Sequence, residues 1–158
     1  MKTGRRHSRR PGSVGTDFLR GLHNGVPICL GYVSVAFTFG MMCTENSMPF
    51  WIAVLISMTN LTSAGQFAGT ALIIGGGSLV EIGITTFVIN IRYLLMSLSL
   101  SQRIDPALSI PKRLLMSFGV TDEIFGVSMQ SRGQISAAYF FGLMTAPFWG
   151  WALGTLIG

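Results

Sequence analysis

Long apolar stretches separated by short polar ones dominate this 158-residue chain. Three of them are long enough to cross a membrane: residues 26–43, 79–100 and 135–157. An α-helix of about 18 residues rises about 27 Å, and the hydrocarbon core of a bilayer is ~30 Å thick. Apolar residues cover all sides of these stretches rather than one stripe, which is typical of helices surrounded by lipid. The pattern therefore predicts an all-α membrane protein.

Residues 50–75 form a fourth apolar stretch, but polar residues interrupt it at positions 59–66. Polar groups at membrane depth are tolerated where they are buried in protein or line a cavity. We therefore expect a broken helix, which either crosses the membrane fully or returns to the side it came from as a re-entrant hairpin. The alternative is a continuous helix whose Thr and Ser hydroxyls bond to its own carbonyl groups.

Residues 114–129 form a fifth stretch, which is short for a membrane span and carries Asp122 and Glu123 at its centre. We expect this stretch to be broken or re-entrant as well, so that the chain has about five membrane segments. The order span, broken element, span, broken element is the inverted-repeat pattern that secondary transporters use.

The positive charge is concentrated at the N-terminus. Only 11% of the residues are charged, against about 25% in soluble domains, and the net charge of +5 comes from the first twenty residues. Residues 1–16 contain almost no large apolar side chain, which predicts a disordered basic head on the cytoplasmic side. Residues 17–158 then form the transmembrane domain, with an interfacial helix at 17–23 ahead of the first span.

Arg92 lies well inside the third apolar stretch, close to Asn90. A buried arginine costs ~2.5 kcal/mol or more at the membrane centre, so it requires a partner, a water-lined cavity or snorkelling to the interface. Asp122 and Glu123 are the candidate partners. Desolvation favours the protonated form of a carboxyl group, so either acid is also a candidate for carrying a coupling proton.

Four motifs occur in order along the chain. They are GVPICLGY at 25–32 with FG at 39–40, SAGQFA at 63–68, VINIRY at 88–93 and TDEIF at 121–125. Together they resemble the AzlC family of branched-chain amino acid permeases, over roughly residues 17–158. The resemblance implies the large subunit of a two-component exporter in the cytoplasmic membrane, paired with a small AzlD-type membrane subunit. Members of that family usually continue for several more membrane segments, so we expect the domain to be incomplete at its C-terminus or completed by another subunit.

A zwitterionic substrate needs acceptors for its ammonium group, donors for its carboxylate and an apolar pocket for its side chain. Backbone groups at helix breaks provide the first two without burying a net charge. The candidate substrate-binding residues are Asn60, Ser63, Gln66, Asn90 and Thr121. Arg92, Asp122 and Glu123 are the candidates for charge pairing or proton coupling.

Two other functions are open to a chain of this kind. A non-transporting assembly subunit or a truncated permease fragment would explain its short length. A membrane-embedded hydrolase that uses Asp122 is disfavoured, because the sequence offers no separate second catalytic acid, no metal-ligand cluster and no Ser/His dyad. No metal or cofactor is expected, and the chain is not expected to be an enzyme.

The distribution of charge generates a prediction about topology. The loop at 44–49 lacks Lys and Arg, whereas the loop at 101–113 contains three of them, so the first belongs outside and the second inside. In a variant without the native cysteines, Glu45→Cys should react with a membrane-impermeant thiol reagent in intact cells, and Asp105→Cys only after permeabilisation. Labelling of both positions from the same side would exclude a hairpin at 50–75.

Overall fold

The computed structural model describes residues 13–131 and 133–158. Within these residues the chain forms seven α-helices, with one isolated backbone bridge in place of any strand. The helices are α1 (Val14–Glu45), α2 (Phe50–Thr59), α3 (Ser63–Ile74), α4 (Leu79–Ser101), α5 (Ile110–Phe118), α6 (Asp122–Gln130) and α7 (Ala137–Ile157). In this part of the chain α1, α4 and α7 are long and apolar enough to cross a membrane. The predicted all-α membrane architecture is confirmed.

The first helix is longer than the sequence pattern predicted. An interfacial helix at 17–23 and a separate span at 26–43 were expected, but α1 is one continuous helix of 32 residues. It also begins at Val14, inside the predicted disordered head; residues 1–12 lie outside the described residues. The reason is local: the Ser13 side chain accepts a hydrogen bond from the backbone N–H of Thr16 and caps the helix.

Pro27 does not interrupt α1, although it cannot donate a backbone hydrogen bond. The segments on both sides of it pack on the same neighbour, α7. Before Pro27, a Cβ atom added to Gly21 would lie 2.0 Å from the backbone oxygen of Tyr139; after Pro27, one added to Gly40 would lie 2.4 Å from that of Thr155. This close contact holds both segments in one line.

The helices α1 and α7 run in the same direction, in backbone contact. Near the other end of the pair, a Cβ atom added to Gly154 would lie 2.6 Å from the backbone oxygen of Val33. The contact point therefore advances along both helices together. Small residues allow helix backbones to approach closely in a membrane, where packing rather than water drives association.

The helix α4 runs opposite to α1 and α7. Ile104, just after α4, forms a backbone bridge with Ile135, just before α7. The Arg103 side chain reinforces this junction by donating a hydrogen bond of 2.8 Å to the backbone oxygen of Ser131. The C-terminal end of α4 thus lies beside the N-terminal end of α7.

The helices α2 and α3 form a re-entrant hairpin. α2 starts after a short loop at the C-terminal end of α1, and its Ala53 packs against Phe39 and Cys43 near that end. α3 runs antiparallel to α4, since Gly65 lies against Asn90, and Gly69 against Thr86. Because α4 is antiparallel to α1, α3 ends at the end of the bundle where α2 began.

The helices α5 and α6 form a second hairpin, which enters from the opposite end. Near the start of α5, Arg113 donates a hydrogen bond of 3.2 Å to the backbone oxygen of Asp105. Near the end of α6, the backbone oxygen of Met129 accepts one of 3.3 Å from Arg103. α5 begins at Ile110, ahead of the predicted residue 114, because a proline in the first turn is compatible with a helix start.

The two breaks meet near the middle of α1. Leu61, in the first break, packs in the same apolar core as Tyr32. Thr121, at the second break, lies 2.7 Å from the Tyr32 hydroxyl. A span followed by a hairpin therefore occurs twice with opposite orientation, and α7 lies against the first unit.

The glycine contact between α1 and α7 generates a stability prediction. Gly142→Ala should lower the free energy of unfolding in detergent by about 1–3 kcal/mol, the usual range for overpacking, because the added Cβ would lie 2.1 Å from the backbone oxygen of Phe18. Gly83→Ala is the matched control, since a Cβ at Gly83, on α4, would meet nothing within 4 Å. Equal thermal stability of the two variants would contradict the close helix contact.

Candidate functional site

A cleft of about 420 Å³ lies where the two helix breaks meet. Residues 61 and 63 line it from the first hairpin, and residues 121–123 line it from the second. Tyr32 and Trp151 contribute the walls from α1 and α7. Tyr93 lines it from α4. The cleft is thus built by five different parts of the chain near the middle of α1, and the first turns of two half-helices, α3 and α6, border it.

Thr121 caps α6 at the border of the cleft. Its hydroxyl accepts a hydrogen bond from the backbone N–H of Ile124, and it lies 2.7 Å from the Tyr32 hydroxyl. The Tyr32 hydroxyl is also 2.6 Å from Glu123 Oε2, to which it can donate its proton. Tyr32 therefore joins the middle of α1 to the start of α6. Thr121 and Glu123, both candidates from the sequence, lie together in the cleft.

Arg92 pairs with Asp122 across the α4–α6 contact, at 2.9 Å between Nη1 and Oδ2. The guanidinium group also donates a hydrogen bond of 3.0 Å to the Tyr93 hydroxyl and lies 4.9 Å from the centre of the Tyr93 ring. Of the two candidate carboxylates, the geometry selects Asp122. Glu123 forms no ion pair with any of the described residues, and its carboxylate belongs to the lining of the cleft.

Asn60 shapes the first break rather than the cleft. Its Oδ1 accepts hydrogen bonds from the backbone N–H and the hydroxyl of Thr62, which closes a short turn of the kind that Asn favours. The Thr62 hydroxyl is directed to Asn60, and it makes no capping hydrogen bond to α3. The N–H groups in the first turn of α3 thus have no side-chain cap, and Ser63 at this helix start lines the cleft.

Gln66 is buried behind the cleft. Its Nε2 donates a hydrogen bond of 2.7 Å to Ser57 Oγ, and its Oε1 accepts one of 2.9 Å from the indole Nε1 of Trp151. Only 1% of its surface is exposed. Gln66 was predicted to be a substrate contact, but in the structure it is Trp151 that lines the cleft, and Gln66 binds the indole of Trp151 from behind.

Asn90 also lies outside the residues that line the cleft. Its amide packs against Gly65, where an added Cβ would be 2.6 Å from Asn90 Oδ1. That oxygen is buried and accepts no hydrogen bond from the described residues. Asn90 therefore belongs to the contact between α3 and α4, and Gly65 is small so that this amide can fit.

Two residues of the site, Tyr32 and Trp151, were not among the candidate site residues predicted from the sequence. Both carry a polar atom in the middle of an apolar span, where a buried hydroxyl or indole N–H usually has a hydrogen-bond partner. That requirement was the available signal. It could not name the partners, because these lie 89 and 85 positions away along the chain.

The ion pair generates a prediction about coupling. Arg92→Gln and Asp122→Asn should each lower thermal stability in detergent, since each leaves one charge unpaired, whereas the double variant should lose less than their sum. We expect a coupling energy of about 0.5–3 kcal/mol. The control cycle combines Arg92→Gln with Glu123→Gln, for which additive effects are expected. Additivity in both cycles would remove the proposed pairing.

Comparison with known proteins identifies a family and related membrane proteins. The family model described as AzlC protein matches residues 27–158. The inner membrane protein YgaZ of Escherichia coli K12 is 31% identical over 152 residues, which cover 94% of this chain and 61% of the relative. An uncharacterized membrane protein of Archaeoglobus fulgidus is 30% identical over 141 residues, covering 89% of this chain and 61% of the relative.

The chain spans about three-fifths of the length of these relatives. No solved structure matches it at a significant level. The family model covers most of the chain, including the residues that line the cleft, and the relatives are named membrane proteins. The chain belongs to the AzlC family of membrane proteins.

Proposed function

We propose that this chain is the large subunit of a secondary transporter that exports branched-chain amino acids. The observation that carries the proposal is the cleft at which two oppositely oriented hairpins bring their helix breaks together. Discontinuous helices that meet near the membrane midplane are a recurring way to build a substrate site in secondary transporters, because their ends offer polar backbone groups without a buried net charge.

The electrostatics of the cleft suit a zwitterion. The uncapped first turn of α3 and the Ser63 hydroxyl offer donors to a carboxylate, and the helix dipole adds positive potential there. The Glu123 carboxylate offers an acceptor to an ammonium group. Asp122 is neutralised by Arg92, so the cleft has hydrogen-bond donors on one wall and the Glu123 carboxylate on another. These two walls are complementary to the carboxylate and the ammonium group of a zwitterionic amino acid.

The remaining lining is apolar and suits an aliphatic side chain. Ile28, Val35, Leu61 and the Trp151 ring form this part of the cleft. A pore that conducts ions would be expected to carry a ring of charged side chains or carbonyl groups instead. The resemblance of the four motifs to AzlC-type permeases narrows the aliphatic substrate to leucine, isoleucine or valine.

Glu123 is the proposed site of proton coupling. Asp122 is held in an ion pair, whereas Glu123 is bonded to the neutral Tyr32 hydroxyl. Glu123 can therefore take up or release a proton without breaking an ion pair, which Asp122 cannot do. Protonation would also remove the acceptor for the substrate ammonium, which links proton binding to substrate release.

The proposed partner is a small AzlD-type membrane subunit. In the described structure α4 is in contact mainly with α3 and α6, and apolar side chains such as Phe87 and Leu95 are exposed. Lipid, a partner helix or further segments of the protein could cover this surface.

The Escherichia coli relative is named an inner membrane protein, and we propose the same membrane for this chain, with the N-terminus in the cytoplasm.

Export of a dipeptide-derived amino acid tests the function. Cells loaded with a leucine, isoleucine or valine dipeptide should export the released amino acid faster when this protein is present with its AzlD-type subunit and any sequence that follows residue 158 in the gene. Glu123→Gln should slow export roughly tenfold, which corresponds to an increase of about 1.4 kcal/mol in the activation free energy of transport. Glu45→Gln, which changes an exposed acid at the end of α1, should leave export unchanged.

Two outcomes would contradict separate parts of the proposal. If the correctly inserted pair changes efflux of none of the three amino acids, the substrate assignment is wrong. If the 158-residue chain alone exports them at the full rate, the two-subunit assignment is wrong. Immunodetection in isolated membranes distinguishes both results from failed insertion.

A further inference from the structure

A buried row of hydrogen bonds runs from the first hairpin to the wall of the cleft. Thr155 Oγ1 and Ser57 Oγ lie 2.7 Å apart, and Ser57 Oγ accepts a bond from Gln66. Gln66 in turn accepts the indole N–H of Trp151. All four side chains are at most 4% exposed. Both the nitrogen and the oxygen of the Gln66 amide take part in this row. The amide therefore cannot rotate without losing a hydrogen bond, and it holds the acceptor of the indole N–H in a fixed place.

The indole of Trp151 is held from three directions. Its Nε1 donates to Gln66 at 2.9 Å. Its ring meets the Tyr32 ring edge to face, with centroids 5.0 Å apart and an angle of 70°. Its backbone cannot shift toward α1, since a Cβ atom on the preceding Gly150 would already lie 2.5 Å from Cys29 Sγ.

Trp151 borders the cleft even though it is only 1% exposed. Tyr32 connects it to the acidic wall: the ring of Tyr32 contacts the indole, and its hydroxyl reaches Glu123 at 2.6 Å. The Tyr32 side chain therefore spans the distance between the Trp151 indole and the Glu123 carboxylate, which is proposed to hold the ammonium group of the substrate. An amino acid anchored at Glu123 would direct an aliphatic side chain along Tyr32 toward Trp151.

We propose that the Trp151 indole is the end wall that limits the length of the substrate side chain, and that Gln66 is the positioning residue that fixes the plane of this indole. The inference rests on the proposed amino acid transport. It assigns Gln66 an indirect role, in contrast to direct contact with the substrate. A hydrophobic pocket distinguishes one methylene group by about 10- to 200-fold in rate, so the position of one ring is enough to set selectivity among aliphatic side chains.

The test measures selectivity rather than total activity. The completed transporter would be reconstituted, and the ratio of kcat/KM for norleucine to that for valine would be determined. Trp151→Phe leaves a shorter ring and should raise this ratio at least tenfold, by improving transport of the longer side chain. Trp149→Phe is the matched control, because this neighbouring tryptophan is 53% exposed on the outer side of α7 and should leave the ratio unchanged.

The role of Gln66 is tested in two backgrounds. Gln66→Leu removes the hydrogen-bond acceptor of the indole. It should therefore change the norleucine to valine ratio in the wild-type background. It should have no further effect in the Trp151→Phe background, because a phenylalanine ring has no N–H for Gln66 to bind. An equal effect in both backgrounds would show direct contact between Gln66 and the substrate, and would overturn the positioning role. Should Trp151→Phe fail to insert, the ratio in Gln66→Leu still decides, since an unchanged value would overturn the inference.

The failure of this inference is distinguishable from the failure of the proposed function. If the wild-type transporter moves neither valine nor leucine, the function itself is wrong. If it moves both, and the norleucine to valine ratio is the same in Trp151→Phe and wild type, then transport stands and the end wall lies elsewhere in the cleft.

Discussion

Backbone contact between α1 and α7 is the constraint on which the rest of this structure depends. Glycines on both helices lie against the main chain of the other helix, so closely that an added Cβ atom would collide. In lipid this packing is the main force that can hold apolar helices together, because there is no water to expel. The result is a rigid pair, and Tyr32 and Trp151 project from its middle.

Both hairpins pack against this pair of helices. Each hairpin stops halfway through the bundle, where its break leaves polar backbone groups that must be satisfied or must face a cavity. The side chains of the pair meet them there: Tyr32 binds the start of α6, and Trp151 is bonded to Gln66 on α3. Both hairpins are therefore held at the site through this one pair of helices.

The two carboxylates of the site have different kinds of partner. Asp122 and Glu123 are adjacent in sequence, and both favour the N-terminal turn of a helix. Their directions differ, however, so that Asp122 reaches Arg92 on α4 and Glu123 reaches Tyr32 on α1. Two neighbouring acids thereby receive two different roles, one in holding α4 to α6 and one in the cleft.

Much of the architecture follows from local patterns in the sequence. Apolar length determines the three spans, and the polar runs near residues 60 and 120 determine the two breaks, because lipid penalises any backbone or side chain that is not satisfied. The charge distribution favoured hairpins over full crossings, and the structure has hairpins at both places. The start of α1 was predicted wrongly, since a Ser cap and glycine packing on a distant helix extended it beyond the apolar stretch.

The candidate site was predicted in part. Ser63, Thr121 and Glu123 lie in the cleft, as their place at the helix breaks indicated, whereas Asn60, Gln66 and Asn90 support it from outside. The sequence by itself determined which elements exist and which polar groups need partners. Only the tertiary structure decided which partners they have, because the contacts of Gln66 with Trp151 and of Arg92 with Asp122 join segments that are far apart in the chain, and a hydrogen bond or ion pair depends on distance in space.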